Sequence, residues 1–209
     1  MTGPMGEMWD RRLTEQAWPS TPDPYLVEFA DPLPPGSGLD LGAGPGRNSL
    51  WLAVKGWGMT LVDVSRIGLG QAARAAKSHS ATINAVHADV TTWRAPEGGF
   101  DLVIVANLHL RTDTLSRVLD GAARALRPGG HLYLVGHHIS NLGHHGPSSA
   151  ERLLTEDRLR RALPPNLTAD ILDTRYRMAG QEARRLHMPG DAIVLAWTTK
   201  FANSGGGNS

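Results

Sequence analysis

The chain has 209 residues, enough for one domain that buries its own apolar core without covalent staples. At 41% apolar and 20% charged residues its composition is that of a folded globular protein, and with no cysteine it can form neither a disulfide scaffold nor a thiolate metal site nor a cysteine nucleophile. Lys+Arg number 21 against 20 Asp+Glu, so no excess charge draws the chain to nucleic acid or to an anionic membrane.

The first dozen residues carry no apolar leader core and no lipidation motif, which sets the expectation of a cytoplasmic protein. The longest apolar runs, 102–106 and 192–197, are far too short to span a bilayer. Met5, Met8, Trp9 and Leu13 recur at helical spacing and predict an amphipathic helix over 5–17, its apolar face packed on the body of the protein. Asp23-Pro24 reads as an N-cap followed by proline at the first helical position, opening a short helix to about Ala30. A proline-rich stretch then separates an N-terminal helical cap, 1–35, from a main domain, 36–200. Residues 201–209 read as a disordered tail.

From Ser37 onward strands and helices alternate. Strands are expected at 37–42, 59–64, 82–88, 100–106, 131–136, 167–176 and 192–200. Helices are expected at 47–55, 66–77, 112–126 and 155–163, with a turn at 127–130. That order predicts an α/β fold, a Rossmann-like seven-stranded and mostly parallel sheet with helices on both faces. The last two strands have no helix between them and should pair antiparallel at one edge.

Asp40-Leu41-Gly42-Ala43-Gly44-Pro45-Gly46 falls between the first strand and the first helix of this domain. Glycines there let the backbone turn sharply and approach a ligand closely. Asp63 follows at the end of the second strand, where a carboxylate can accept both hydroxyls of a ribose. A dinucleotide site favours G-x-G-x-x-G, but Arg47 stands where its third glycine would be. The spacing suits a nucleoside cofactor without phosphates.

The ordered segments LDLGAGPGRNSLWLA, LVDVS, HADV, FDLVIVANLHL and LRPGGHLYLVG resemble the class I S-adenosylmethionine (SAM)-dependent methyltransferases. The pair Arg47-Asn48 brings the chain nearest to the small bacterial tellurite-resistance-type (TehB-like) branch. The resemblance implies SAM as cofactor and S-adenosylhomocysteine as product. It implies that Gly42, Ala43 and Gly44 line the methionine moiety and that Asp40 supports their loop. It places Asp63 on the ribose, Val64 against adenine, Asp89 and Val90 at the adenine edge, and Ala106 and Asn107 at the methyl end. A helix or turn cap is the lesser reading of Asp89.

Methyl transfer needs an acceptor held in line with the S–CH3 bond, and a base only where the acceptor must lose a proton. His109, His137 and His138 follow strands at their carboxyl ends, where ligands of open α/β sheets bind, and are the candidate bases. Local packing accounts for His109 equally well. Four of the nine histidines lie between His137 and His145. Adjacent histidines on an extended chain face opposite ways, so this stretch reads as a polar loop rather than a metal site. The expected acceptor is a small molecule, by hydroxyl or soft chalcogen, with no nucleic acid, membrane or metal. A non-catalytic SAM-binding protein and an NAD(P)-dependent oxidoreductase are the competing readings. The spacing does not fix the oligomeric state.

Overall fold

The computed structural model describes residues 3–144, 146–176 and 192–201. Its strands are β1 (Ser37–Leu41), β2 (Gly58–Asp63), β3 (Ile83–His87), β4 (Phe100–Ala106), β5 (Leu126–His137), β6 (Leu167–Tyr176) and β7 (Ala192–Lys200). Its helices are α1 (Pro4–Glu15), α2 (Pro24–Ala30), α3 (Arg47–Val54), α4 (Arg66–Ser78), α5 (Thr112–Ala125) and α6 (Glu156–Ala162). The strands form one sheet in the order β3-β2-β1-β4-β5-β7-β6. Strands β1 to β5 run parallel, and β7 lies antiparallel between β5 and β6. The expected alternation and the antiparallel final pair are both present.

Strand β4 shows why the sheet is covered on both sides. Leu102 and Ile104 enter one core with Leu26, Leu52 and Leu69 from α2, α3 and α4. Val103 and Val105 enter the other core with Leu115, Leu119 and Leu159 from α5 and α6. A strand buried on both faces must be apolar at every position, which is why FDLVIVA shows no alternation. Among the described residues no helix is long and apolar enough to cross a membrane.

Two expectations fail locally. Residues 127–130 do not end one element and begin another. Leu126 pairs with Phe100 and His131 with Leu102, so these residues bulge out within β5. Gly129 takes the left-handed turn there, at φ 79°. Helix α1 does not bury its whole apolar stripe either. Leu13 is 4% exposed, but Met5 and Met8 are 49% and 42% exposed. Helix α1 meets α4 through Leu13, and Trp9 packs against Trp18 at 5.9 Å.

Helix α2 is tied down through its cap. The fully buried Asp23 accepts from the Tyr25 amide at 3.2 Å and from the Tyr133 hydroxyl at 2.8 Å. Its backbone N–H donates to Asn48 Oδ1 at 2.9 Å, and Arg47 lies 3.7 Å from its other oxygen. One carboxylate thus joins α2, the start of α3 and the middle of β5. Asp101, which opens β4, also serves the fold: it accepts from the Ser37 amide and pairs with Arg127.

Candidate functional site

The glycine loop begins where β1 stops. The amides of Gly42 and Ala43 both donate to the Val62 carbonyl, at 2.8 and 3.3 Å. This turns the chain across the end of β2 and starts α3. Gly42, Gly44 and Gly46 all have positive φ. Two of them are also demanded by packing. A Cβ on Gly42 would lie 2.9 Å from Leu108, and one on Gly46 would lie 2.9 Å from Ala72 and Leu61. At Gly44 a Cβ would meet nothing within 4 Å. The backbone of Gly44 therefore faces the open space above the strand ends.

Asp63 closes the loop from the side. It is 8% exposed, and burial pushes its carboxyl above the usual carboxylate range, against the opposing hydrogen bonds from Ser65 and Gly44. Its two oxygens accept from the Gly44 and Ser65 amides, each at 2.7 Å. A carboxylate offers about four lone-pair positions, so Asp63 keeps acceptor capacity for donors from a ligand. The adjoining Val64 carbonyl is held by His87 at 3.0 Å. Asp89 is engaged as a turn cap, accepting from both the amide and the hydroxyl of Thr91. Val90 is half-buried and packs on the core beneath it.

Asp40 is the floor of the site. It is 2% exposed and accepts from Ser49 Oγ at 2.7 Å. Burial, reinforced by the charge of Asp63, raises its pKa to about 7, against the pull of Ser49 and Arg47. Folded Asp40 thus keeps its proton to about pH 7. Unfolded, it loses that proton near pH 4. Stability should fall as pH rises from about 4 to about 7, because the unfolded chain releases its proton first. The stability advantage of Asp40→Asn over wild type should grow by about 2–3 kcal/mol between pH 5 and pH 8, as read by urea unfolding at both pH values. An advantage that does not change between them would refute the buried proton.

At the end of β4 the chain turns through Asn107, one of two described non-glycine residues with positive φ (57°). Its amide donates to the Val135 carbonyl at 2.7 Å, and Ala106 beside it is half-buried. The turn folds Leu108 back over Gly42 and brings His109 against His137 from the end of β5. Their rings stack at 5.0 Å with planes 23° apart. His138 is turned elsewhere: its Nδ1 meets the amide and hydroxyl of Ser140 and caps a short 3-10 turn. So the three histidines separate into a stacked pair and a local cap. His145 lies outside the described residues. A groove of about 570 Å3, lined by Trp57, Gly58 and Thr82 among others, opens at the far end of β2 and β3. It carries no charged side chain and is remote from these groups.

Residues 39–130 match the family model described as a methyltransferase domain. Over those residues the chain matches a methyltransferase domain, and its fold is the Rossmann-like fold of the class I SAM-dependent methyltransferases. No curated protein matches it. Among solved structures it is similar to one reported for conversion of a disulfide bond into a thioacetal group during echinomycin biosynthesis. That pair is 21% identical over 96% of this chain and 94% of the other, with TM-score 0.75. It is also similar to the N-methyltransferase NodS from Bradyrhizobium japonicum WM9 in complex with S-adenosyl-L-homocysteine: 20% identity, 93% and 97% coverage, TM-score 0.69. TehB from Haemophilus influenzae is 16% identical over 93% of this chain and 66% of its own, with TM-score 0.68. At these identities the likeness is one of fold.

SAM is the cofactor of such a methyltransferase domain, and the residues present fit it. The open face of Gly44 and the remaining acceptor capacity of Asp63 lie side by side, which suits a nucleoside with a non-phosphate tail. Three polar residues around the methyltransferase site escape the motif pattern: Asp10, Ser65 and Asp23. Ser65 has a local signal, as an N-cap just ahead of α4. Asp23 signals only its own helix cap, and Asp10 signals nothing.

Proposed function

We propose that this methyltransferase moves the SAM methyl group to a small-molecule nucleophile at the edge formed by the ends of β4 and β5. The observation that carries the reading is the His109–His137 stack, which puts two imidazoles at the strand ends next to the glycine loop. Gly42, Ala43 and Gly44 hold the methionine portion of the cofactor, with Asp40 beneath them. Asp63 takes the ribose hydroxyls, and Val64, Asp89 and Val90 border the adenine. Ala106 and Asn107 shape the methyl end.

The bound sulfonium supplies an electrophilic methyl group. The acceptor forms a bond to that carbon as the C–S bond breaks. His109 receives the acceptor's proton where the acceptor is a hydroxyl, and His137 fixes the plane of the His109 ring. The near-neutral charge of the chain and the biosynthetic setting of the echinomycin-related neighbour support a small acceptor. Residues 1–35 act as the cap of the site, and 36–200 as its catalytic unit. The Arg47-Asn48 pair supports a likeness to the tellurite-resistance branch, so oxyanions of tellurium and selenium belong with phenols, sugars and thiols among the acceptors to test.

The test is release of S-adenosylhomocysteine across that acceptor panel, by wild type and by His109→Gln. With a hydroxyl acceptor the variant should lose about 10²–10⁴-fold in kcat, the usual value of a positioned base. With a thiolate or selenide, which needs no base, it should lose little. Equal losses with both classes would overturn the base assignment. No turnover with any of them would overturn the small-molecule reading.

A further inference from the structure

Helix α1 sends one carboxylate into the neighbourhood of the cofactor site. Asp10 Oδ1 accepts from Ser65 Oγ at 2.5 Å and from the Ile67 amide at 3.1 Å. Ser65 is the N-cap of α4, and its hydroxyl oxygen accepts from the Gly68 amide at 3.0 Å. The Ser65 amide donates to Asp63. Asp10, Ser65 and Asp63 are therefore linked in series, 55 residues of chain apart at the first step.

The contact is reinforced along the helix. Leu13 is buried against α4, where a Cβ on Gly68 would come within 2.9 Å of Leu13 and 3.0 Å of the Gly44 backbone. Gln71 donates to the Leu13 carbonyl at 3.1 Å. So α1, the first turn of α4 and the glycine loop pack as one unit. Ser65 caps the Gly68 amide, and Asp10 adds from a separate helix a charged acceptor for the Ile67 amide. That second cap ties α1 to the corner where Ser65 meets Asp63.

We infer that Asp10 is a positioning residue for the cofactor ribose, acting on Asp63 through Ser65. A serine hydroxyl has one proton to donate. Here that proton goes to Asp10, which keeps the hydroxyl from turning onto Asp63 and occupying a position meant for a ribose hydroxyl. The same contact holds the Ser65 amide on Asp63, which fixes the plane of that carboxylate. The inference rests on the assignment of Asp63 to the ribose.

The test compares two ligands by calorimetry: S-adenosylhomocysteine and its 2′,3′-dideoxyribose analogue. Asp10→Ala should weaken the first about tenfold, the value of one charge-assisted hydrogen bond, and leave the second unchanged. Asp10→Asn keeps the acceptor for Ser65 and should stay within about threefold of wild type, the scale of an exposed charge interaction. Equal weakening of both ligands by Asp10→Ala would make α1 a mere cover and overturn the inference. No weakening of either would do the same. If wild type binds the two ligands equally, the ribose role of Asp63 falls first, and that outcome is read without any variant.

Discussion

Asp63→Ala should weaken S-adenosylhomocysteine at least about a hundredfold while the protein stays folded. Two ribose hydroxyls donating to one carboxylate make two charge-assisted hydrogen bonds, each worth about 1.5–3 kcal/mol. The truncation removes both. It also releases the Gly44 and Ser65 amides that Asp63 now holds at 2.7 Å, so the glycine loop loses its side support. Asp63→Asn separates these effects. The amide retains one acceptor oxygen and brings a donor that faces other donors, so its affinity should fall almost as far. Titration calorimetry reads the affinity, and the melting curve checks the fold. An affinity within about threefold of wild type for the alanine variant would remove Asp63 from the ribose site.

The second large effect concerns folding. Asp23→Ala should cost about 3–5 kcal/mol, measured by urea unfolding. The site has no access to water that could replace the carboxylate, because both Asp23 and Tyr133 are fully buried. The truncation strands the Tyr133 hydroxyl and removes the counter-charge that Arg47 meets at 3.7 Å. It also strips α2 of its cap. Tyr133→Phe alone should cost far less, because it removes a hydroxyl without leaving a charge uncompensated. In the double variant the losses should be less than additive, since both act on one bond. A cost below about 1 kcal/mol for Asp23→Ala would show that water reaches the cluster.

The contrast between these two aspartates also explains how much of the protein was legible in its sequence. Asp63 stands at a fixed place in a local pattern of strand, glycine loop, helix and strand, and chain order alone put it beside Gly44. The strand order near the site follows from the same pattern. Asp23 could be read only as a helix cap, because its main partner lies 110 residues away on β5. Asp10 left no trace, since a lone acid in an exposed helix looks the same whether or not another helix waits for it. The apolar stripe of α1 misled for a related reason: periodicity shows which side is apolar, not how much of it finds cover. Met5 and Met8 remain about half exposed among the described residues. The His109–His137 stack depends on the register of β4 against β5, with Ala106 opposite Val135. Sequence placed both histidines at one edge and could not bring their rings together.

The position of β7 bears on how the chain is made. It is the last strand in chain order, yet it lies between β5 and β6, and its side chains from Ala192 to Trp197 are all buried. Among the described residues β6 pairs with no strand but β7. During synthesis, then, β5 waits as an open edge with its backbone donors and acceptors unpaired, while β6 has nothing to join. Only when residues 192–200 emerge can they enter the gap and pair on both sides at once. Contacts of such long sequence separation form slowly, and an apolar strand edge left open is a site for pairing with other chains. The strand-end edge, where His137 faces Ile193, is complete only once β7 has paired with β5.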